Sequence, residues 1–428
     1  MLLPMNSATA QSPSTPRQQG LFGGVRPDTA ATTSLNVTTS LVEGYDEDVP
    51  VSLLNVIDPS SLQTGGFSTI LNTSAAYVRK TARTDVGING TSVIRHYGDL
   101  GATQGQGGFG AGISARLPGR LTLMANQAGA YTPTHLSGLF PTGVDVQPGT
   151  PGSTAPDYNV SDFESYTHTS TLSLRQDFGR RSSLTVSGDF QYIDRKKERP
   201  LWEDVSSYVL RGDYARNVNR TTAIIAQYQY RSGAFGYTND LLTTEHALEF
   251  GVNYSKRLSA TRHATVRFSA GASAADVPQL TQNGNVIFRQ YLGRGSAEVE
   301  YQFQRTWQVR ANYRRGIEYV VDIPEPVFAN SLGLGIDGYI TNRIDVAVSG
   351  GYSSGESILN TSALAYDTYT GSVRVRYALT RLVATYGEYL YYFYDFAAGT
   401  PVLIGVPRGL ERNGVRVGLT LWMPAFRR

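Results

Sequence analysis

Leu184-Thr185-Val186-Ser187-Gly188-Asp189-Phe190-Gln191-Tyr192 is the stretch whose reading decides the fold. Apolar or small residues at 184, 186, 188, 190 and 192 alternate with polar ones at 185, 187, 189 and 191. Successive side chains of an extended strand point to opposite faces, so a period of two describes a strand with one apolar and one polar face. Working outward, the same period runs through 35–41, 109–117, 264–270 and 344–352.

A soluble β-sandwich also alternates. Three features point elsewhere. The alternating segments run to about 10–15 residues, against about 5–6 for an ordinary globular strand and about 9–11 for a tilted strand that crosses a bilayer. The connections alternate between short ones, such as Pro118-Gly119 and Thr380-Arg381, and long ones, such as 46–65, 132–162, 232–243, 274–285 and 397–408. Short turns on one side and long loops on the other are the habit of outer-membrane barrels. Aromatic residues also recur near segment ends, at Tyr131, Tyr166, Tyr192, Tyr230, Tyr254, Tyr291, Tyr319, Tyr352 and Tyr369, where interfacial girdles sit.

A repeat about forty residues long runs through the second half, the length of two long strands, one turn and one loop. An aromatic or apolar residue and a basic or polar turn recur at Phe178-Gly179-Arg180, Tyr214-Ala215-Arg216, Tyr254-Ser255-Lys256, Phe303-Gln304-Arg305, Ile340-Thr341-Asn342 and Leu379-Thr380-Arg381. Each repeat holds two long strands, so the pattern is a meander and not a propeller of four-stranded blades. Strand cores are predicted to begin near 34, 66, 91, 107, 120, 163, 183, 205, 221, 244, 263, 286, 307, 328, 343, 366, 382 and 409. The expected fold is all-β: a single transmembrane antiparallel up-and-down barrel of about eighteen strands. An even count puts both termini on the periplasmic side and every long loop outside. Losing segment 91–99 breaks that parity unless another strand goes with it, and sixteen strands is the alternative.

Composition agrees. In 428 residues there are 45 Gly, 27 Tyr and no Cys. No convincing long helix is apparent, and no apolar run approaches the ~18 residues of a transmembrane helix. A net charge of +3 is too small for a nucleic-acid footprint. Without Cys there are no disulfides and no thiolate-bound metal. Ala8-Thr9-Ala10 before Gln11 reads either as a signal-peptidase site in a leader remnant or as an ordinary tail. Residues 11–33, rich in Ser, Thr, Pro, Gly and Gln, read as disordered. The expected division is a leader remnant and disordered segment at 1–33, the barrel at 34–423 and a C-terminal tail at 424–428.

The Tyr-rich strands, the forty-residue hairpin repeat and the last strand Val415-Arg416-Val417-Gly418-Leu419-Thr420-Leu421-Trp422 resemble the outer-membrane β-barrel porins of Gram-negative bacteria. The version often encoded beside exopolysaccharide or capsule export genes is the nearest in kind. The resemblance covers about residues 34 to 423 and is architectural. It implies insertion by the barrel-assembly machinery and passage of hydrophilic solutes, including the exit of a secreted polysaccharide. Members commonly end in an aromatic residue, whereas here Phe426 is followed by Arg427 and Arg428.

Other chemistry is thinly supported. Gly105-Gln106-Gly107-Gly108-Phe109-Gly110 fits G-x-G-x-x-G, but a strand follows where a dinucleotide site needs a helix. It reads as a flexible loop entering a strand. His96, His135, His168, His246 and His263 have no metal-ligand spacing, and His168 and His246 fall on outward faces near the outer rim. An enzyme is not expected, nor a cofactor or metal. A structural or adhesive barrel with a closed lumen is the rival, and a barrel-borne hydrolase a third reading. The Pro-rich loop 132–162 either folds inward as a constriction or is a stiffened surface loop. The loop 49–62, with Leu53, Leu54, Val56 and Ile57, either packs into the mouth or extends its flanking strands.

Facing follows from parity. Leu172, Leu174, Val186, Phe190, Leu210, Ile224, Leu248, Val252, Val266, Phe268, Val299, Val309, Leu334, Val346, Val348, Val373 and Val375 are expected to meet lipid. The lumen is expected to carry Arg175, Arg211, Arg231, Arg267, Arg310, Arg314, Arg374, Arg376 and Arg416, with Asp189, Asp213, Glu249, Glu298, Glu300, Asp337, Asp345 and Glu388. Nine basic against eight acidic side chains imply weak ion selectivity and a preference for neutral or mixed-charge solutes such as sugars. Arg310, Arg314, Arg374 and Arg376 form either a basic ladder or the neutralising partners of Glu298, Glu300 and Glu388. Two registers follow from the turns: Val299 opposite Ala311 with Glu300 opposite Arg310, and Arg374 opposite Glu388 with Tyr389, Tyr391 and Phe393 outside. The expected partners are outer-membrane lipid and lipopolysaccharide, the assembly machinery, and a hydrophilic solute or polysaccharide, with no nucleic acid.

Overall fold

The computed structural model describes residues 32–50, 63–98, 101–132, 164–195, 204–234, 242–281, 284–304, 306–318, 327–358, 365–397 and 408–427. The readings of residues 1–31, of the loop 133–163 including His135, and of 51–62 lie outside these. The described residues form eighteen strands. They are β1 (Thr33–Pro50), β2 (Gln63–Lys80), β3 (Thr84–Tyr97), β4 (Ala102–Leu117), β5 (Leu121–Thr132) and β6 (Ser165–Phe178). Next come β7 (Ser182–Arg195), β8 (Val205–Asn217), β9 (Thr222–Ala234), β10 (Leu242–Ser259), β11 (Arg262–Thr281) and β12 (Gly284–Phe303). The last are β13 (Trp307–Glu318), β14 (Val327–Thr341), β15 (Ile344–Ser357), β16 (Ala365–Ala378), β17 (Val383–Phe396) and β18 (Gly409–Arg427). Each pairs antiparallel with its chain neighbours, and β1 pairs with both β2 and β18. The sheet is a closed meander of eighteen strands, and sixteen is excluded. Closure leaves no unpaired strand edge.

Seven strand boundaries differ from the sequence reading. β3 begins at Thr84 and not near 91, and β4 at Ala102 and not near 107. Gly87, Gly90, Gly105 and Gly107 carry no side chain to continue the alternation, yet their backbones pair in register. The whole of Gly105–Gly110 is therefore strand, not a loop entering one. The connections expected over 46–65 and 274–285 are shorter, because β1 runs to Pro50, β2 starts at Gln63, β11 runs to Thr281 and β12 starts at Gly284. β18 continues to Arg427, past the 423 expected for the barrel, with Leu35 opposite Phe426 and a register shift beside Pro424. A proline has no N–H for the ladder and is tolerated at such a bulge. In each case the backbone ladder outlasts the side-chain pattern.

The connections sort into two ends. Short turns lie at 81–83, 118–120, 179–181, 218–221, 260–261, 342–343 and 379–382, all at one end. Gly119 (φ 77°) and Gly179 (φ 75°) adopt the left-handed backbone that two of these reversals require. The opposite end carries the long connections, together with two short ones, 98–101 between β3 and β4 and 282–283 between β11 and β12. Around the outside runs an apolar band in which Leu41, Leu172, Leu210, Phe268, Leu334 and Val417 are each more than half exposed. At the long-connection end it is bordered by ring pairs at 5.0 Å, Tyr45–Phe67, Tyr131–Tyr166 and Tyr352–Tyr369. At the short-turn end Tyr301, Phe303 and Trp307 stack in sequence.

Candidate functional site

Strand alternation places the expected wall residues opposite the exposed apolar band, so they project into the barrel. The band itself includes Leu174, Val186, Ile224, Leu248, Val252, Val266, Val299, Val348, Val373 and Val375 as exposed residues. Phe190, Val309 and Val346 share that face but are half covered by their neighbours.

On the wall of β6 to β14, water reaches much of the charge. Arg267 Nη1 donates to Glu298 at 2.9 Å and Arg310 Nη2 to Asp337 at 2.9 Å. Arg175 pairs with Asp177 at 3.0 Å, and Arg211 donates to Gln229 at 3.2 Å. Asp189 lies opposite Thr171 and Val209, and Asp213 opposite Thr185 and Gln227. Glu300 accepts from Gln302 and Gln308 and stands in register with Arg310. Arg314 pairs with Glu318 at 2.8 Å.

Toward the long-connection end this wall dries out. Glu245, 1% exposed, is held by Arg231 at 3.6 Å and Arg294 at 3.1 Å. Arg294 also meets Glu249 at 2.6 Å, and Ser269 Oγ donates to the other Glu249 oxygen at 2.6 Å. Buried carboxylates persist only where cations and hydrogen bonds replace the lost water. Gly271 stands in register with both Glu249 and Arg294. A Cβ there would meet the Leu248 carbonyl at 1.9 Å, so the close approach of β10 and β11 beneath the arginine requires glycine.

The wall of β16 through β1 is buried along most of its length. Arg376 grips Asp345, its Nε donating to both carboxylate oxygens at 2.9 and 3.0 Å. Glu388 stands in register between Arg374 and Arg416. Asp46 of β1 faces Arg412 of β18 at 2.9 Å and Arg416 at 3.8 Å. Arg95 donates to the Tyr97 hydroxyl at 3.0 Å. Inward tyrosines fill the space beside these groups: Tyr366, Tyr386, Tyr392 and Tyr394 are each no more than 2% exposed.

Distant strands meet at the long-connection end. β11 and β12 are twenty residues each and outrun their neighbours. Ala275 and Val277 of β11 pack in one cluster with Ile317, Phe328 and Ile358 from the far ends of β13, β14 and β15. The cluster therefore joins strands up to four positions apart around the barrel. Arg231 of β9 accordingly donates to the Ile317 carbonyl at 3.3 Å.

Three of the four arginines read as a possible ladder pair with acids other than those foreseen. Arg310 takes Asp337, Arg314 takes Glu318 and Arg376 takes Asp345, while only Arg374 faces Glu388. Asp46, Arg95, Glu245, Arg294, Glu318 and Arg412 were absent from the sequence-derived wall. Glu245 shares odd numbering with Glu249 on β10, and Arg294 even numbering with Glu298 on β12, so parity alone was signal enough for both. Asp46 had been read as loop. The six added side chains are three of each sign, so the wall remains nearly neutral.

No described histidine gathers metal-binding company: among the described residues no group of three or more His, Asp or Glu could hold an ion. His246 lies outward against Tyr228 and Tyr230, His96 meets Thr103, and His263 meets Ser255. A hollow of about 900 Å³ between Ile88, Ile113, Leu172 and Leu210 lies on the outward face of β3 to β8 and not in the lumen.

No protein-family model matches the chain, and no curated protein does. Among solved structures it is similar to OpdQ of Pseudomonas aeruginosa, with 9% identity, a TM-score of 0.44, and coverage of 92% of this chain and 98% of that one. It is similar to OccAB3 of Acinetobacter baumannii, with 10% identity, a TM-score of 0.44, and coverage of 91% and 99%. A third is OccK2 (OpdF) of Pseudomonas aeruginosa in complex with glucuronate, with 8% identity, a TM-score of 0.44, and coverage of 92% and 98%.

Proposed function

We propose that this chain is a porin-like pore of the bacterial outer membrane that passes hydrophilic solutes through the barrel lumen. The observation that carries the reading is the division of one closed sheet into two faces. An exposed apolar band bordered by aromatics suits lipid. The opposite face carries interleaved ion pairs such as Arg267–Glu298 and Arg310–Asp337, which keep contact with water. Only a closed barrel satisfies every backbone amide in hydrocarbon while enclosing a polar space, and eighteen strands are enough for a channel. Near balance of the wall charges favours neutral or mixed-charge solutes over one class of ion. Exit of a secreted polysaccharide is a finer reading that rests on the sequence resemblance alone.

The rival, a structural or adhesive barrel with a closed lumen, draws support from the buried tyrosines and from the apolar cluster that joins β11 to the far ends of β13 and β14. Single-channel recording in planar bilayers separates the two. The pore reading expects discrete conductance steps; their absence at any applied potential supports the closed barrel.

A further inference from the structure

The basic turns that punctuate the hairpin repeat are not used by the lumen. We propose that they form a collar that binds anionic phospholipid headgroups around the short-turn end of the barrel. Four of the tripeptides are Phe178-Gly179-Arg180, Tyr214-Ala215-Arg216, Tyr254-Ser255-Lys256 and Leu379-Thr380-Arg381, and Tyr77-Val78-Arg79 at the end of β2 has the same form. In each, a ring or leucine on the outward face is followed two residues later by a basic side chain. All five basic residues are exposed. Arg83, Arg120, Arg220 and Arg343 add exposed guanidinium groups within the turns themselves.

Acidic residues at this end turn the other way. Asp85, Asp177 and Asp345 lie on the inward parity of β3, β6 and β15, and the latter two are spent on Arg175 and Arg376. Among the described residues, neither the short turns nor the outward strand positions next to them hold an Asp or Glu. The opposite end carries more exposed acids than bases, with Glu43, Asp194, Glu356, Asp367, Asp395 and Glu411 against Arg289, Arg315 and Arg408. The chain is thus electrically polar along the barrel axis despite its small net charge of +3.

The distribution selects the occupant. A folded acidic partner would call for a patch on one side. Here the charges follow β2, β6, β8, β10 and β16, around most of the circumference, as a lipid annulus does. Each also sits within two residues of a side chain suited to the edge of the hydrocarbon, which is the depth of a phosphate headgroup. Clustered Lys and Arg at that depth attract anionic leaflets, and salt weakens the attraction.

The inference rests on the membrane reading, and its test is separable from pore activity. The full chain is reconstituted into phosphatidylcholine vesicles containing spin-labelled phosphatidylglycerol or spin-labelled phosphatidylcholine. The motionally restricted fraction of each label gives their relative association with the barrel. A several-fold preference for phosphatidylglycerol is expected at low salt, lost in 0.5 M salt on the order of the Debye screening argument. Arg79→Gln, Arg216→Gln, Lys256→Gln and Arg381→Gln together should lower it clearly, while replacement of the same four positions by the other basic residue should keep it. Equal association of both labels with the wild-type barrel overturns the collar and leaves a soluble acidic partner as its occupant. A preference undiminished by the four glutamines overturns it too. Conductance of the same preparations reports on the pore independently.

Discussion

Asp46 of β1 and Arg412 of β18 meet 2.9 Å apart across the junction where the first and last strands close the barrel. Both are nearly inaccessible to water, at 2% and 3% exposure. Gly414, in register with Asp46, leaves room for the carboxylate, since a Cβ there would meet Asp46 Oδ1 at 2.4 Å. Removing one partner of a buried ion pair costs about 3–5 kcal/mol, because the other charge stays buried. Asp46→Ala is expected to lose stability on that order in urea unfolding from lipid vesicles. Asp46→Leu combined with Arg412→Met should lose much less, and equal losses for the two variants would contradict a pair that acts across the closure.

The outward position of Val348 sets a second expectation. It lies in register with Ile336 and Val373 in the middle of the apolar band. Val348→Arg should cost about 2–4 kcal/mol in a bilayer. Ala347→Arg, on the inward face beside Asp337 and Arg374, should cost clearly less. The same unfolding assay ranks the two, and the reverse ranking would assign β15 the opposite facing.

Register can be tested by chemistry. Glu300 stands directly opposite Arg310. Glu300→Cys with Arg310→Cys should form a disulfide on mild oxidation of the folded barrel, visible as a mobility shift reversed by reductant. Glu300→Cys paired with Ala311→Cys places the thiols on opposite faces and should not cross-link.

Gly271 carries a packing expectation. A methyl group would drive into the backbone of Leu248 and Glu249, and overpacking of this kind costs typically about 1–3 kcal/mol. Gly271→Ala should show a loss in that range. Gly212, around which a Cβ would meet nothing within 4 Å, is the control whose alanine variant should change stability by less.

Selectivity follows from the paired wall. Arg376 and Arg310 are matched by Asp345 and Asp337, so the reversal potential in a salt gradient should be small. Arg376→Ala leaves Asp345 uncompensated and should shift the pore toward cations. A strongly anion-selective wild-type pore that loses its selectivity on Arg374→Ala with Arg376→Ala would restore the basic ladder.

Strand number and strand order were legible in the chain because the alternation that reveals a strand is a local property of side-chain direction. Leu184 to Tyr192 declares its two faces without reference to any other segment, and the same holds for Val299 and Glu300 on β12. Turn length then set the registers of β12 with β13 and of β16 with β17, since a short reversal leaves little freedom. The glycine-rich starts of β3 and β4 were hidden for the complementary reason: with no side chains to alternate, only the backbone ladder of a neighbouring strand identifies them. Tertiary structure alone decided the rest. The pairing of β1 with β18 brings Asp46 to Arg412 and Arg416. A buried cluster joins Val277 to Phe328 and Ile358. The meeting of Glu245, Glu249 and Arg294 depends on how closely β10 and β11 approach at Gly271. These contacts join residues remote in sequence, and their energies depend on burial, which arises only once the sheet has closed.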